Sequence, residues 1–116
     1  MNSHPLSAFI GATVRLLPTA EGGRRAPISS GYRCNCWIGH TDVHGRTYND
    51  ATLYLIDTES LAPGDTAGAR VRPHDPDAWY MLTEGSTFEL CEGPRTVGVA
   101  TVTDLFADTT STRTDT

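Results

Sequence analysis

The stretch FIGATVRLL, residues 9–17, decides how this sequence folds. The apolar residues at positions 10, 12, 14 and 16 alternate with a second, mixed row. Successive side chains of a β-strand point to opposite faces, so a period of two places one row inward. We therefore predict a strand from Phe9 to Leu17 that buries its apolar row and is ended by Pro18.

The same two-residue period recurs along the rest of the chain. It predicts five further strands, at Ser30–Gly39, Thr47–Ile56, Ala67–Arg72, Thr87–Cys91 and Thr96–Leu105. The tight connection Glu92-Gly93-Pro94-Arg95 joins the last two. No window carries a helical stripe, and six short antiparallel strands must close on themselves or expose edges that aggregate. The predicted fold is all-β, a six-stranded antiparallel closed β-barrel.

The length of 116 residues is that of one domain. The strand pattern places the barrel at residues 8–106. Residues 1–7 are expected to be a flexible N-terminus. Residues 107–116 are rich in threonine, alternate in charge and lack an apolar anchor, so we expect them to form a disordered tail.

The sequence favours a cytoplasmic protein without a membrane partner. No apolar run approaches the roughly 20 residues that a transmembrane helix needs. Residues 1–5 lack the basic start and long apolar core of a secretory signal. Three cysteines, an odd number, also argue against a disulfide scaffold.

Charge is distributed unevenly along the chain. The net charge is −5, yet residues 15–46 contain five arginines against only Glu21 and Asp42, a local net of +3. The remainder of the chain is correspondingly acidic. This pattern predicts one basic surface on an acidic body. The alternative is that the arginines are scattered solubilising charges.

Four soft ligands lie close together in the sequence. Cys34, Cys36, His40 and His44 have the spacing Cys-x-Cys-x3-His-x3-His, which resembles a zinc site. On a strand, however, the two cysteines share the face that points into the core, where free cysteine packs as a small apolar residue. The favoured interpretation is two buried thiols and no metal or other cofactor.

Patterns typical of enzymes are weak or absent. Asp-x-x-Gly occurs at 42–45 and at 65–68, but no Gly-x-x-x-x-Gly-Lys-Ser/Thr loop is present to hold a triphosphate. The His74-Asp75 pair lies between prolines, and no serine has the context of a nucleophile elbow. We therefore expect no catalytic residues and no enzymatic activity. An enzyme built on the Cys and His cluster is the remaining alternative, and it predicts bound metal.

Five longer sequence motifs are more specific than these short patterns. In order along the chain they are EGGRRAP at 21–27, GYR at 31–33, TDVHG at 41–45, PGD at 63–65 and EGPRTVG at 92–98. Together they resemble the C-terminal domain, domain III, of bacterial elongation factor Tu, over about residues 9–106. The resemblance implies a six-stranded antiparallel barrel, here expected as a stand-alone protein. In the full-length factor this domain packs on the GTPase domain and contacts the T-stem side of aminoacyl-tRNA.

The resemblance also implies a set of RNA-facing positions. Arg24 matches an arginine of the family, and Arg25 replaces a histidine with a permanent charge. Asn35 stands where the family has glutamine, and His44 where it has threonine. The last hairpin contributes Glu92 and Gly93, and Tyr32 lies beside these positions in the sequence pattern. The predicted binding residues are Arg24, Arg25, Tyr32, Asn35, His44, Glu92 and Gly93.

The leading hypothesis is therefore a non-catalytic binding module that binds tRNA, another RNA or the translation machinery. Arg24 and Arg25 would donate to phosphates. The alternative is a protein-interaction regulator or decoy that imitates domain III, for which the acidic second half of the chain suits a protein partner. Such a partner would be a translational GTPase or another protein of the translation machinery.

Overall fold

A computed structural model describes residues 9–106. The predicted flexible N-terminus and threonine-rich tail lie outside these described residues. Ten strands and two short 3₁₀ segments, Thr19–Glu21 and Pro76–Trp79, follow one another along the chain. The strands are β1 (Phe9–Leu16), β2 (Ile28–Ser29), β3 (Tyr32–Trp37), β4 (Thr41–Asp42), β5 (Gly45–Arg46), β6 (Asn49–Leu55), β7 (Ser60–Leu61), β8 (Thr66–Pro73), β9 (Thr87–Glu92) and β10 (Arg95–Phe106).

Six of these strands close into a barrel in the order β1-β10-β9-β3-β6-β8. Every neighbouring pair is antiparallel, and the pairing of β1 with β8 completes the ring. The predicted all-β, six-stranded antiparallel closed barrel is confirmed. Among residues 9–106, no helix combines the length and the hydropathy that spanning a bilayer would require.

The alternation within the strands builds the core. The predicted inward row of β1 is confirmed, because Ile10, Ala12, Val14 and Leu16 are all buried. Leu53 of β6 and Leu90 of β9 are fully enclosed in the same cluster. Each barrel strand therefore points one row into the core and the other row outward.

The predicted strand boundaries differ from the observed ones next to the β4–β5 hairpin. The segment from His40 to Arg46, predicted as a turn, forms the small β4–β5 hairpin. Thr47, predicted to begin the next strand, instead donates its backbone N–H to His40 O at 2.9 Å and closes that hairpin. The barrel strand β6 therefore begins at Asn49.

The ladder registers define two ends of the barrel. Tyr32 pairs with Leu53 and Glu92 pairs with Arg95, and the antiparallel pairing of β3 with β9 places both pairs at one end. We call it the loop end, since it also carries the long β1–β2 connection. The β4–β5 hairpin lies at the opposite end, which we call the hairpin end.

We expect Leu53→Ala to destabilise the barrel by about 2–5 kcal/mol, because it removes buried methyl groups and leaves a cavity. Leu105→Ala is the matched control, since Leu105 is 49% exposed and its truncation is expected to change stability by about 0.5 kcal/mol or less. Urea unfolding of both variants measures the difference. Equal losses in the two variants would contradict the assigned core.

Candidate nucleic-acid interface

The candidate site is the outer face of β3. Its inward residues Cys34 and Cys36 are buried, whereas Arg33, Asn35 and Trp37 lie on the outer surface. From Tyr32 to Trp37 the strand rises by about 17 Å, at roughly 3.3 Å per residue. It therefore runs from the loop end of the barrel to the hairpin end.

At the loop end, three side chains form a cluster that we call the Tyr32 triad, consisting of Arg24, Tyr32 and Glu92. The guanidinium of Arg24 pairs with Glu92 Oε2, and the Tyr32 hydroxyl donates to the same oxygen at 2.6 Å. The guanidinium carbon also lies 5.2 Å from the centre of the Tyr32 ring. Arg24 is thereby attached to two different strands of the barrel, β3 and β9.

The loop before Arg24 has a local geometry that only glycine permits. Gly22 caps the Thr19–Glu21 segment with a φ of 94°, in the left-handed region that favours glycine. A Cβ at Gly23 would overlap the carbonyl oxygen of Leu17. The Thr19 hydroxyl then donates to Arg24 O at 2.6 Å, which fixes the backbone from which Arg24 reaches Glu92.

The triad also perturbs the ionisation of its members. Partial burial opposes the charged form of Glu92, but hydrogen bonds from Tyr32 and Arg24, together with the nearby guanidinium charges, outweigh it and lower the pKa of this carboxyl. Burial and donation to that carboxylate raise the pKa of Tyr32. Glu92 is therefore an anion, and Tyr32 a neutral donor, at neutral pH.

At the hairpin end, a second cluster likewise consists of an arginine, an aromatic residue and a glutamate. We call it the Trp37 triad, consisting of Trp37, Arg46 and Glu89. The guanidinium carbon of Arg46 lies 3.7 Å from the centre of the Trp37 ring, and Arg46 Nη1 donates to Glu89 Oε1 at 2.7 Å. Hydrogen bonds from Arg46 and from Thr96 lower the pKa of Glu89. Both triads thus combine an aromatic residue of β3 with a glutamate of β9 and an arginine from outside the barrel strands.

Between the two triads lies an open groove of 350 Å³. It is lined by Arg33, Cys34, Asn35, Asp50, Cys91 and Glu92. Asn35 pairs in register with Cys91 on one side and with Asp50 on the other. Within residues 9–106 the Arg33 side chain makes no hydrogen bond or ion pair. The groove therefore offers a free guanidinium beside a side-chain amide.

The predicted binding residues are brought together only in part. Arg24, Tyr32 and Glu92 meet in one cluster, with Gly93 in the adjoining β9–β10 turn. Asn35 lines the neighbouring groove. Arg25 is exposed, with no hydrogen bond or ion pair to the described part of the chain. His44 lies at the hairpin end, where its backbone N–H donates to Asp42 Oδ1 at 2.7 Å.

Three arginines of this surface were absent from the predicted set. Arg33 could have been found from the alternation of β3, which places it on the same face as Asn35. Arg95 follows Glu92 by three residues, is 57% exposed and approaches Glu92 Oε1 at 3.9 Å. Arg46 had no local signal, because its partners Trp37 and Glu89 are distant in the sequence.

The four candidate zinc ligands do not converge. Cys34 Sγ and Cys36 Sγ lie 3.1 Å apart inside the barrel, and both side chains are buried. His40 Nε2 lies 2.7 Å from Ala78 O instead. Across residues 9–106, no group of three or more His, Cys, Asp or Glu side chains is arranged to hold a metal ion.

Taken together, the closed six-stranded antiparallel barrel and its arginine-bearing connections define the chain as a β-barrel domain. The comparison with protein families agrees with this class and is more specific. The chain belongs to the elongation factor Tu C-terminal domain family, which it matches over residues 4–106. The resemblance identified in the sequence is thereby confirmed.

The lowered pKa of Glu92 leads to an acid-stability prediction. A carboxyl whose folded pKa lies below the unfolded value of about 4.3 stabilises the fold above that value and loses this stabilisation as the pH falls through the folded pKa. We expect the melting temperature of the native protein to fall below about pH 4.3 more steeply than that of Glu92→Gln. Glu59→Gln, at an exposed residue outside both triads, is the control and should follow the native curve. Parallel curves for the native protein and Glu92→Gln would contradict this assignment.

Proposed function

We propose that this chain is a non-enzymatic RNA-binding module of translation, which binds the sugar-phosphate backbone along the outer face of β3. The observation that carries the proposal is the unpaired guanidinium of Arg33 beside Asn35 in the open groove. Membership of a translation-factor domain family supports RNA as the partner class. A function in translation implies a cytoplasmic location, and binding of this kind requires no cofactor.

The contacts divide the arginines into two groups. Arg24 is only 22% exposed, and its donors are committed to Glu92 and to Ala26 O, so it positions the loop and contributes little free charge. Arg25 and Arg33 are exposed without partners in the described residues, and Arg95 is mostly exposed. We assign the phosphate contacts to Arg25, Arg33 and Arg95, because none of their guanidinium donors forms a hydrogen bond within the described residues, even though Arg95 approaches Glu92 at 3.9 Å. A guanidinium with free donors can bind phosphate through two parallel hydrogen bonds.

Asn35 complements these charges with a neutral contact. Its amide carries both donors and an acceptor, and it lies in the groove next to Arg33. A ribose 2′-hydroxyl needs both a donor and an acceptor, and this hydroxyl distinguishes RNA from DNA. Asn35 is therefore assigned to the ribose, with the acidic residues Asp50 and Glu92 limiting how many phosphates enter the groove.

We expect Arg33→Ala to weaken binding of fluorescently labelled tRNA at low salt and to flatten the slope of log affinity against log salt by about one. The control is Arg15→Ala, which removes an exposed arginine from β1 on the opposite side of the barrel. Titrations at two salt concentrations give both quantities. Absence of tRNA binding by the native protein at low salt, or equal effects of the two variants, would overturn the proposal.

One observation favours a second candidate, a regulator that binds a protein of the translation machinery. Val43 at the tip of the β4–β5 hairpin is 94% exposed, and Tyr80 is 79% exposed. Large apolar side chains with this exposure are common at protein interfaces. A complex with a purified translational GTPase that survives nuclease treatment and is lost in Val43→Asp would support this candidate. Loss of the same complex on nuclease treatment would support RNA binding instead.

A further inference from the structure

The Trp37 triad holds the guanidinium of Arg46 by two contacts. Arg46 lies over the indole of Trp37 on one side and donates to Glu89 Oε1 at its edge. Both partners are themselves restrained, because Trp37 Nε1 donates to His40 O at 2.9 Å and Thr96 Oγ1 donates to Glu89 Oε1 at 2.7 Å. A long side chain that would otherwise sample many rotamers is therefore preorganised.

The same contacts leave one face of this side chain available. The Arg46 side chain is 39% exposed although its edge and one face are covered. Its charge is balanced by Glu89, so it adds little to the attraction of phosphates. The face of Arg46 away from Trp37 is therefore a flat, weakly hydrated surface, and unstacked RNA bases stack on guanidinium planes of this kind.

A depression and a carboxylate oxygen beside the Arg46 guanidinium also suit an RNA base. A depression of 180 Å³, lined in part by Trp37, Gly39, Thr87 and Glu89, adjoins the triad. Thr96 and Arg46 both bind Oε1 of Glu89, and Oε2 has no hydrogen-bond partner within residues 9–106. A carboxylate oxygen accepts hydrogen bonds only, so it favours bases with an exocyclic amino group.

From these observations we propose that Arg46, supported by Trp37, is a stacking platform for a single unpaired RNA base, with preference for adenine or cytosine over uracil. This inference rests on the proposed function in one respect, namely that the partner is RNA. It adds a contact that reads a base to a surface whose other residues contact only the backbone. Arg46 would thus bind at the hairpin end while Arg33 binds phosphate in the groove.

The decisive variant is Arg46→Lys, which keeps the positive charge but loses the plane. We expect native protein to bind labelled single-stranded A6 or C6 RNA at least about fivefold more tightly than an abasic hexamer, as base stacking predicts. U6 should bind more weakly than A6 and C6. In Arg46→Lys the affinity for A6 and C6 should fall to that for the abasic hexamer, while the affinity for the abasic hexamer stays unchanged.

The outcomes separate this inference from the proposed function. If native protein binds tRNA and Arg33→Ala weakens that binding, but Arg46→Lys binds A6 as the native protein does, only the stacking platform is overturned. Equal affinity of native protein for A6 and the abasic hexamer also overturns it. If native protein binds neither tRNA nor any hexamer at low salt, the proposed function fails. A lowered melting temperature of Arg46→Lys with unchanged A6 affinity assigns Arg46 to hairpin attachment alone and overturns the platform.

Discussion

The structure depends on the antiparallel pairing of β1 with β8, which closes the sheet. Residues 10–15 of β1 are hydrogen-bonded neighbours of residues 66–71 of β8, although more than fifty positions separate them in the chain. Without this ladder, both strands would be open edges able to pair with other chains. With it, every inward row meets the same core, and the opposite row of each strand is left outside. The outer face of β3 is available for binding for that reason.

The Tyr32 triad and the Trp37 triad attach two connections to the barrel by the same kind of contacts. An aromatic ring on β3 lies beneath a guanidinium, and a glutamate on β9 fixes the position of that guanidinium. Because Tyr32 and Trp37 are the first and last residues of β3, the two triads hold connections at opposite ends of the barrel. Arg25, Arg33 and Arg95, which lie outside the two triads, form no side-chain hydrogen bond within residues 9–106 and so keep their donors available to a partner.

The positions of the barrel strands and the inward direction of their side chains could be predicted from the sequence. The two-residue alternation located all six barrel strands, and it placed Cys34 and Cys36 inside, because strand pleating relates neighbours in the chain. Residue identity along one segment was sufficient in each of these cases.

The pairing of charges could not be predicted in the same way. Arg24 and Glu92 are 68 positions apart, and Arg46 and Glu89 are 43 apart, so only the completed barrel brings them together. For the same reason Arg24 was expected to be a free phosphate donor, whereas its guanidinium is bound to its own chain. The distance between His44 and the Tyr32 triad likewise follows from the length of β3, which composition and motifs do not reveal.

The register of the first and last barrel strands has a practical consequence. Phe9 is paired with Phe106, so the two ends of the barrel chain are adjacent, at the hairpin end. A linker that joined residues 9 and 106 directly would lie at the hairpin end, on the opposite side of the barrel from the β1–β2 connection that carries Arg24 and Arg25. Joining residues 9 and 106 and opening the chain at the β6–β7 connection would preserve every residue pair between β1 and β10. This barrel is therefore a good scaffold for circular permutation.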